Sequence, residues 1–287
     1  MVENVRFGPA GNDEAFLKKY KSIEQMPDYL EEMGLNAYEY QCGHGVRVST
    51  GQCEKIKEAF DKKNIFLSLH APYYISMSSI EEEKRKNSIG YIIASVKACL
   101  AMGGRRVVFH SGSCAKMPRE DALELAADTF RGMVEELKNQ ELYGNILICP
   151  ETMGKINQLG TEEETAYLCS LDEYALPCID FGHVNARYGG SLKTTKDYEK
   201  VLNVFENKIG KDKMKFFHCH FSRIEFSAGG EKKHLTFEDN VYGPFFEPLA
   251  EVIYKKGYEP IIICESAGTQ AADAKHMKES LSAAASL

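Results

Sequence analysis

The chain has 287 residues, 44% hydrophobic and 27% charged, with a formal net charge of −7. That balance fits a soluble fold with a sizeable core and argues against a protein that coats nucleic acid by bulk positive charge. No apolar run approaches the ~18 residues of a membrane span, and the opening MVENVRFGPAGNDE lacks the basic-then-apolar order of a secretory leader.

In chain order, short apolar strands alternate with amphipathic helical segments. The expected strands are VRFG (5–8), AYEYQC (37–42), IFLSLH (65–70), RVVFHS (106–111), NILICPE (145–151), PCIDFGH (177–183), KFFHCHF (215–221) and PIIICES (260–266). Between them, segments such as EKIKEAFDKKN and DYEKVLNVFENKIG repeat apolar residues at helical spacing and end at Asn or Gly. Strand–helix alternation implies right-handed βαβ units and a parallel sheet. Eight units imply an α/β fold, a (β/α)8 barrel forming a single domain over 1–287. No strand is followed by GxGxxG or a P-loop, as a nucleotide-binding open sheet would require. The longest connection, 221–243, follows the seventh strand and is long enough to carry function. Nine cysteines are scattered, an odd number without a CxxC pair, which fits reduced thiols and a cytoplasmic location.

In such a barrel the chemistry sits at the carboxyl ends of the strands. Strand three ends in His70, strand four in His110 and strand five in Glu151. Strand six supplies Asp180 and then His183, strand seven offers His218 and His220, and strand eight ends in Glu265. The long loop adds His234. Taken singly, each fits a hydrogen-bonded barrel residue. Together they are harder to dismiss, because six of the chain's eight histidines fall at these ends or in that loop. Imidazole and carboxylate together suit zinc, with manganese or iron as alternatives. They also explain why Glu265 can follow the apolar run IIIC, since a bound cation would balance a carboxylate that is costly to bury alone. A carboxylate such as Glu151 could bridge two metals roughly 3.5–4 Å apart.

The motifs SLHAPYYIS (68–76), VVFHSGS (107–113), ICPET (148–152), IDFGHVNA (179–186), FHCHFSR (217–223) and IICES (262–266), in this order, resemble endonuclease IV, the zinc-dependent apurinic/apyrimidinic endonucleases. That family lies within the xylose isomerase-like barrels. The resemblance implies one zinc on His70, His110 and Glu151, and a second on Glu151, Asp180, His218 and Glu265. It implies a third on His183, His234 and an Asp, but Lys232 stands at the Asp position. Either Glu231 supplies the carboxylate, or the third ion is absent or weakly held. The strand-seven ligand is also open: the match favours His218, and a register slip of two would put His220 on the same face.

The resemblance further implies cleavage of DNA 5′ to abasic sites, with Glu151 and Glu265 as catalytic carboxylates and two or three ions per chain. Tyr73 and Tyr74 fall at the family's DNA-penetrating loop, and Arg47 and Arg223 in strand-end loops where a phosphate would approach, together with Arg187, Lys232 and Lys233. The expected partner is abasic DNA, met by a monomer without membrane contact. A mononuclear sugar isomerase or epimerase on Glu151, Asp180, His218 and Glu265 is the main alternative, and a metal-stabilised binding protein is a third. His70, His110 and His234 separate the first two, since a mononuclear epimerase needs none of them as ligands.

Overall fold

The computed structural model describes residues 4–286. Its strands are β1 Arg6–Pro9, β2 Ala37–Gln41, β3 Phe66–His70, β4 Arg106–Phe109, β5 Leu147–Pro150, β6 Cys178–Asp180, β7 His218–Phe221, β8 Ile224–Ser227, β9 Gly230–His234 and β10 Ile261–Cys264. Eight of them are parallel. They hydrogen-bond in the orders β1-β10-β7-β6 and β2-β3-β4-β5, as two four-stranded sheets. Parallel bridges Ala10–Glu39 and Glu151–Cys178 join the sheets at both seams and close the α/β barrel. At one seam the Gly11 amide donates to Glu39 O at 2.9 Å, and at the other the Thr152 amide donates to Cys178 O at 3.0 Å. The first seam requires Gly8, where a Cβ would lie 1.7 Å from Ala37 O.

Strand alternation sorts the side chains. Phe7, Tyr38, Leu67, Leu69, Val107, Phe109, Ile148, Cys219, Phe221 and Ile262 point outward into one large core with the helices. Helix Thr50–Lys62 meets that core with Cys53, Ile56 and Phe60, and helix Thr195–Ile209 with Tyr198, Val201, Leu202 and Phe205. These are the three- and four-residue spacings of one helical face. Truncating a fully buried aromatic such as Phe60 or Phe205 to Ala would cost about 3–5 kcal/mol. The inward positions form smaller clusters: Ala10, Ala37, Ile261 and Ile263 on one side, and Val108, Cys149, Leu176 and Cys178 on the other.

Two expectations change here. The sixth strand stops at Asp180, and His183 lies in the first turn of a helix, Phe181–Arg187. Asp180 is the cause: its Oδ1 accepts the His183 amide at 2.8 Å and caps that helix. The long connection after β7 is also not a plain loop. It folds into the antiparallel hairpin β8–β9, with a register irregularity between Glu225 and Phe226. Every cysteine among the described residues is buried and free, consistent with the reading of reduced thiols.

Candidate metal centre

Within the barrel, residues two apart along each strand share a face. The inward position nearest the mouth is occupied by Gln41, His70, His110, Glu151, Asp180, His220 and Glu265, from seven successive strands around the ring. Beneath Glu151 the wall turns to Cys149, and beneath Asp180 to Cys178. On these two strands the carboxylates therefore stand at the rim, above cysteines.

Glu151 is the hub, fully buried. Its Oε2 lies 3.3 Å from His70 Nε2 and 3.1 Å from His110 Nε2. Its Oε1 lies 3.0 Å from His220 Nδ1 and 3.5 Å from His183 Nδ1. His220 Nδ1 is also 3.5 Å from Glu265 Oε1. Farther out, His183 Nε2 is 3.4 Å from Glu231 Oε2, and His234 Nε2 is 3.8 Å from Glu231 Oε1. Among the described residues, four groups result in which one ligand atom per residue lies within 4.8 Å of the others: His70, His110 and Glu151; Glu151, Asp180, His220 and Glu265; His183, Glu231 and His234; and, reaching one layer below the mouth, Cys178, His218 and His220.

The strand-seven expectation is corrected by register. Asp180 pairs with His220 in the β6–β7 ladder, whereas Cys178 pairs with His218. His218 therefore sits one layer below the mouth, fully buried, with Nε2 3.0 Å from Glu39 Oε2. Lys232 turns outward to pair with Glu225, and Glu231 faces His183 and His234. Arg223 is corrected too. Its guanidinium donates to Phe237 O and Asp239 O and lies over the Phe245 ring at 4.6 Å, so it straps the loop instead of facing an incoming phosphate. Arg187 does similar work, donating to Met153 O at 3.0 Å and Lys155 O at 2.8 Å. Arg47 is exposed in the loop after β2. Tyr73 and Tyr74 are 58% and 42% exposed at the rim.

The sequence reading missed Glu39 and held Glu231 only as one of two options. Glu39 interrupts the strand AYEYQ just as Glu265 ends IIIC, so the same signal was present. It is fully buried and accepts from Ser68 Oγ at 2.9 Å, besides its contacts to His218 and His220.

Charge is finely balanced at the centre. Burial would raise the pKa of Glu151, but His220 and the other imidazoles hold it well below the ordinary carboxylate value. Burial works against a charged His70, yet hydrogen bonding and proximity to Glu151 raise its pKa to about 9. Burial drops His218 to about 4, so it is neutral and donates Nε2–H to Glu39. Burial raises Glu265 in spite of His220 and His234. Without cations, protons on imidazole balance the carboxylates.

The donor set fits a divalent cation on its own terms. Asp180 Oδ1 is committed to its helix cap, while Asp180 Oδ2 is buried and makes no hydrogen bond among the described residues: His183 Nδ1 lies 3.2 Å away but meets Thr152 O at 3.0 Å. A buried carboxylate oxygen left this way is costly unless a cation or water meets it. His70 Nδ1 lies 2.8 Å from Ala71 O, which it can meet only as a donor. That leaves His70 Nε2, 3.3 Å from Glu151 Oε2, as the nitrogen a cation could take in exchange for its proton. Above the cluster opens a cavity of about 250 Å³, walled also by Tyr73, Met153, Lys155 and Gln158.

Comparison with known proteins adds a lineage. A family model described as xylose isomerase-like TIM barrel matches residues 27–286. An uncharacterized protein of Methanocaldococcus jannaschii is 33% identical over 260 residues, 91% of each chain. A probable endonuclease 4 of Finegoldia magna is 30% identical over 201 residues, covering 68% of this chain and 67% of its own length. Among solved structures, endonuclease IV from Thermus thermophilus superposes with a TM-score of 0.68 at 16% identity, over 97% of this chain and 99% of its own. An L-ribulose 3-epimerase does so with a TM-score of 0.69 at 14% identity, over 98% and 95%. Likenesses this remote in sequence show the barrel fold.

Proposed function

The chain belongs to the xylose isomerase-like TIM-barrel family, and from that footing we propose that it is a zinc-dependent phosphodiester hydrolase that cleaves DNA 5′ to abasic sites. One observation carries the proposal: three potential ligand sets adjoin one another at the mouth, two of them sharing Glu151. A mononuclear sugar enzyme needs only the tetrad Glu151, Asp180, His220 and Glu265. It has no use for His70 and His110 on the far oxygen of Glu151, nor for a separate His183–Glu231–His234 set. The relatives named probable endonuclease 4 support the same reading.

In this proposal, His70, His110 and Glu151 hold one ion, the tetrad a second, and His183, Glu231 and His234 a third. When bound, such ions activate water near neutral pH and neutralise the entering and leaving oxygens of a phosphoryl displacement. The chain's own residues do the rest. Glu151 fixes the two inner sets relative to each other through its two oxygens. Glu265, at the cavity wall, orients the attacking water and accepts its proton. Tyr73 and Tyr74 offer exposed aromatic faces for stacking where a base is missing. Lys155 at the cavity and Arg47 beyond it are placed to meet backbone phosphates.

The test is incision of a duplex carrying one abasic site by zinc-loaded protein. Cleavage on the 5′ side, lost on Glu151→Gln, is expected. Protein that holds two or more zinc ions per chain yet leaves the abasic duplex intact would refute the reading. The tetrad also favours a second reading, a ketose epimerase with Glu151 and Glu265 exchanging a proton as paired acid and base. One ion per chain together with epimerisation of a ketose would establish it instead.

A further inference from the structure

Below the mouth, a carboxylate sits where a barrel interior is normally apolar. Glu39, on β2, is fully buried, and four side chains converge on it. Its Oε2 accepts from Ser68 Oγ at 2.9 Å and from His218 Nε2 at 3.0 Å. Its Oε1 accepts from Gln41 Nε2 at 3.2 Å and lies 2.9 Å from His220 Nε2. His220 is thus flanked on both sides: Nε2 faces Glu39, and Nδ1 faces Glu151 and Glu265 at the mouth. A buried ion pair of this kind is weak support for stability, because desolvation of both charges consumes most of the attraction. Its presence beneath a ligand cluster calls for another role.

We propose that Glu39, braced by His218 and Ser68, is a positioning residue that holds His220 with its Nδ1 presented to a divalent cation at the Glu151–Asp180–Glu265 set. The inference rests on the metal-centre reading given above. Partners of this sort fix which nitrogen of a ligating imidazole keeps its proton and how the ring is turned. His218 completes the arrangement, its Nε2 lying 3.0 Å from Glu39 Oε2. The ladder pairing of Cys178 with His218 and of Asp180 with His220 sets this brace one layer below the site it serves. Glu39 touches neither cation nor substrate in this account; it acts through His220.

The experiment is competitive zinc titration against a chromophoric chelator, comparing wild type with Glu39→Gln. Glutamine keeps the shape but can offer only one acceptor oxygen in place of two, so one imidazole loses its partner. One zinc equivalent should weaken by roughly 10–100-fold, while the equivalent on His70, His110 and Glu151 keeps its affinity. A global loss of packing would weaken all equivalents together, with a fall in melting temperature. In parallel, imidazole 15N spectra of the cadmium-loaded wild type should place metal on His220 Nδ1, with the proton retained on Nε2. This second measurement needs no variant, so it decides the matter even if Glu39→Gln fails to fold. Metal on His220 Nε2, or unchanged affinities throughout in a folded Glu39→Gln, would overturn the inference while leaving the metal centre intact. A wild type that binds no zinc would remove the metal centre itself, and the inference with it.

Discussion

At the residue scale, Glu231 and Lys232 give the sharpest contrast. Glu231 faces His183 and His234, while its neighbour points to solvent and pairs with Glu225. Glu231→Gln should therefore remove one zinc equivalent from the fully loaded protein, whereas Lys232→Ala should leave metal content and melting temperature unchanged. Elemental analysis after dialysis checks both, and equal metal content in the two variants would contradict the assignment. His70 supplies a pH dependence. Its pKa of about 9 in the metal-free fold exceeds the 6.5 of an ordinary imidazole. Its pairing with Glu151 thus stabilises the metal-free fold fully below pH 6.5 and loses that contribution as pH rises through 9. A cation must displace the same proton, so zinc affinity should climb over that window and binding near neutral pH should release protons. Calorimetry in two buffers of different ionisation enthalpy reads the release directly. Identical heats in both would count against the described charge state.

At the element scale, the strand ladders explain what the sequence made legible. A period of two, applied to strands with known ends, is enough to bring His70, His110, Glu151, Asp180 and Glu265 to one rim. It is not enough to choose between His218 and His220, which share a face; only the pairing of Asp180 with His220 decides. The hairpin was illegible for a different reason. Residues 231 and 234 are three apart and would face opposite sides of a regular strand. The β8–β9 pairing runs Glu225 to Lys233 and Phe226 to Glu231, so Lys232 is an extra, bulged residue. The bulge turns Glu231 and His234 to the same side, and no pattern in GEKKH announces it. That hairpin is held against the loop after β5, where the Glu231 amide donates to Gly154 O at 3.2 Å. A Cβ on Gly154 would lie 2.7 Å from Glu231 Cβ and 3.1 Å from His183 Cδ2. Gly154→Ala should therefore displace Glu231, weakening the outermost zinc equivalent several-fold while the two inner equivalents hold. Uniform weakening of all equivalents would show that the loop supports the whole mouth.

At the scale of the whole molecule, the proposed function requires an acidic chain to meet a polyanion. The net charge of −7 and the carboxylates at the mouth are unfavourable to DNA until cations reverse the local sign. Under the proposed function, metal loading and DNA binding would then be coupled, and the barrel's closure would hold the coupling in place. Two seams, one at Gly8 beside Ala37 and one at Glu151 beside Cys178, bring both half-sheets to the same ring. The strand count was readable from the start. That Glu151 lies at a seam was not, because closure depends on partners far apart in sequence.

Anomalous diffraction at the zinc edge, from crystals of the zinc-loaded protein, addresses the shared centre most directly. Three peaks at the barrel mouth are expected: two on opposite oxygens of Glu151 and one among His183, Glu231 and His234. A single peak on Glu151, Asp180, His220 and Glu265, with His70 and His110 left free, would contradict it.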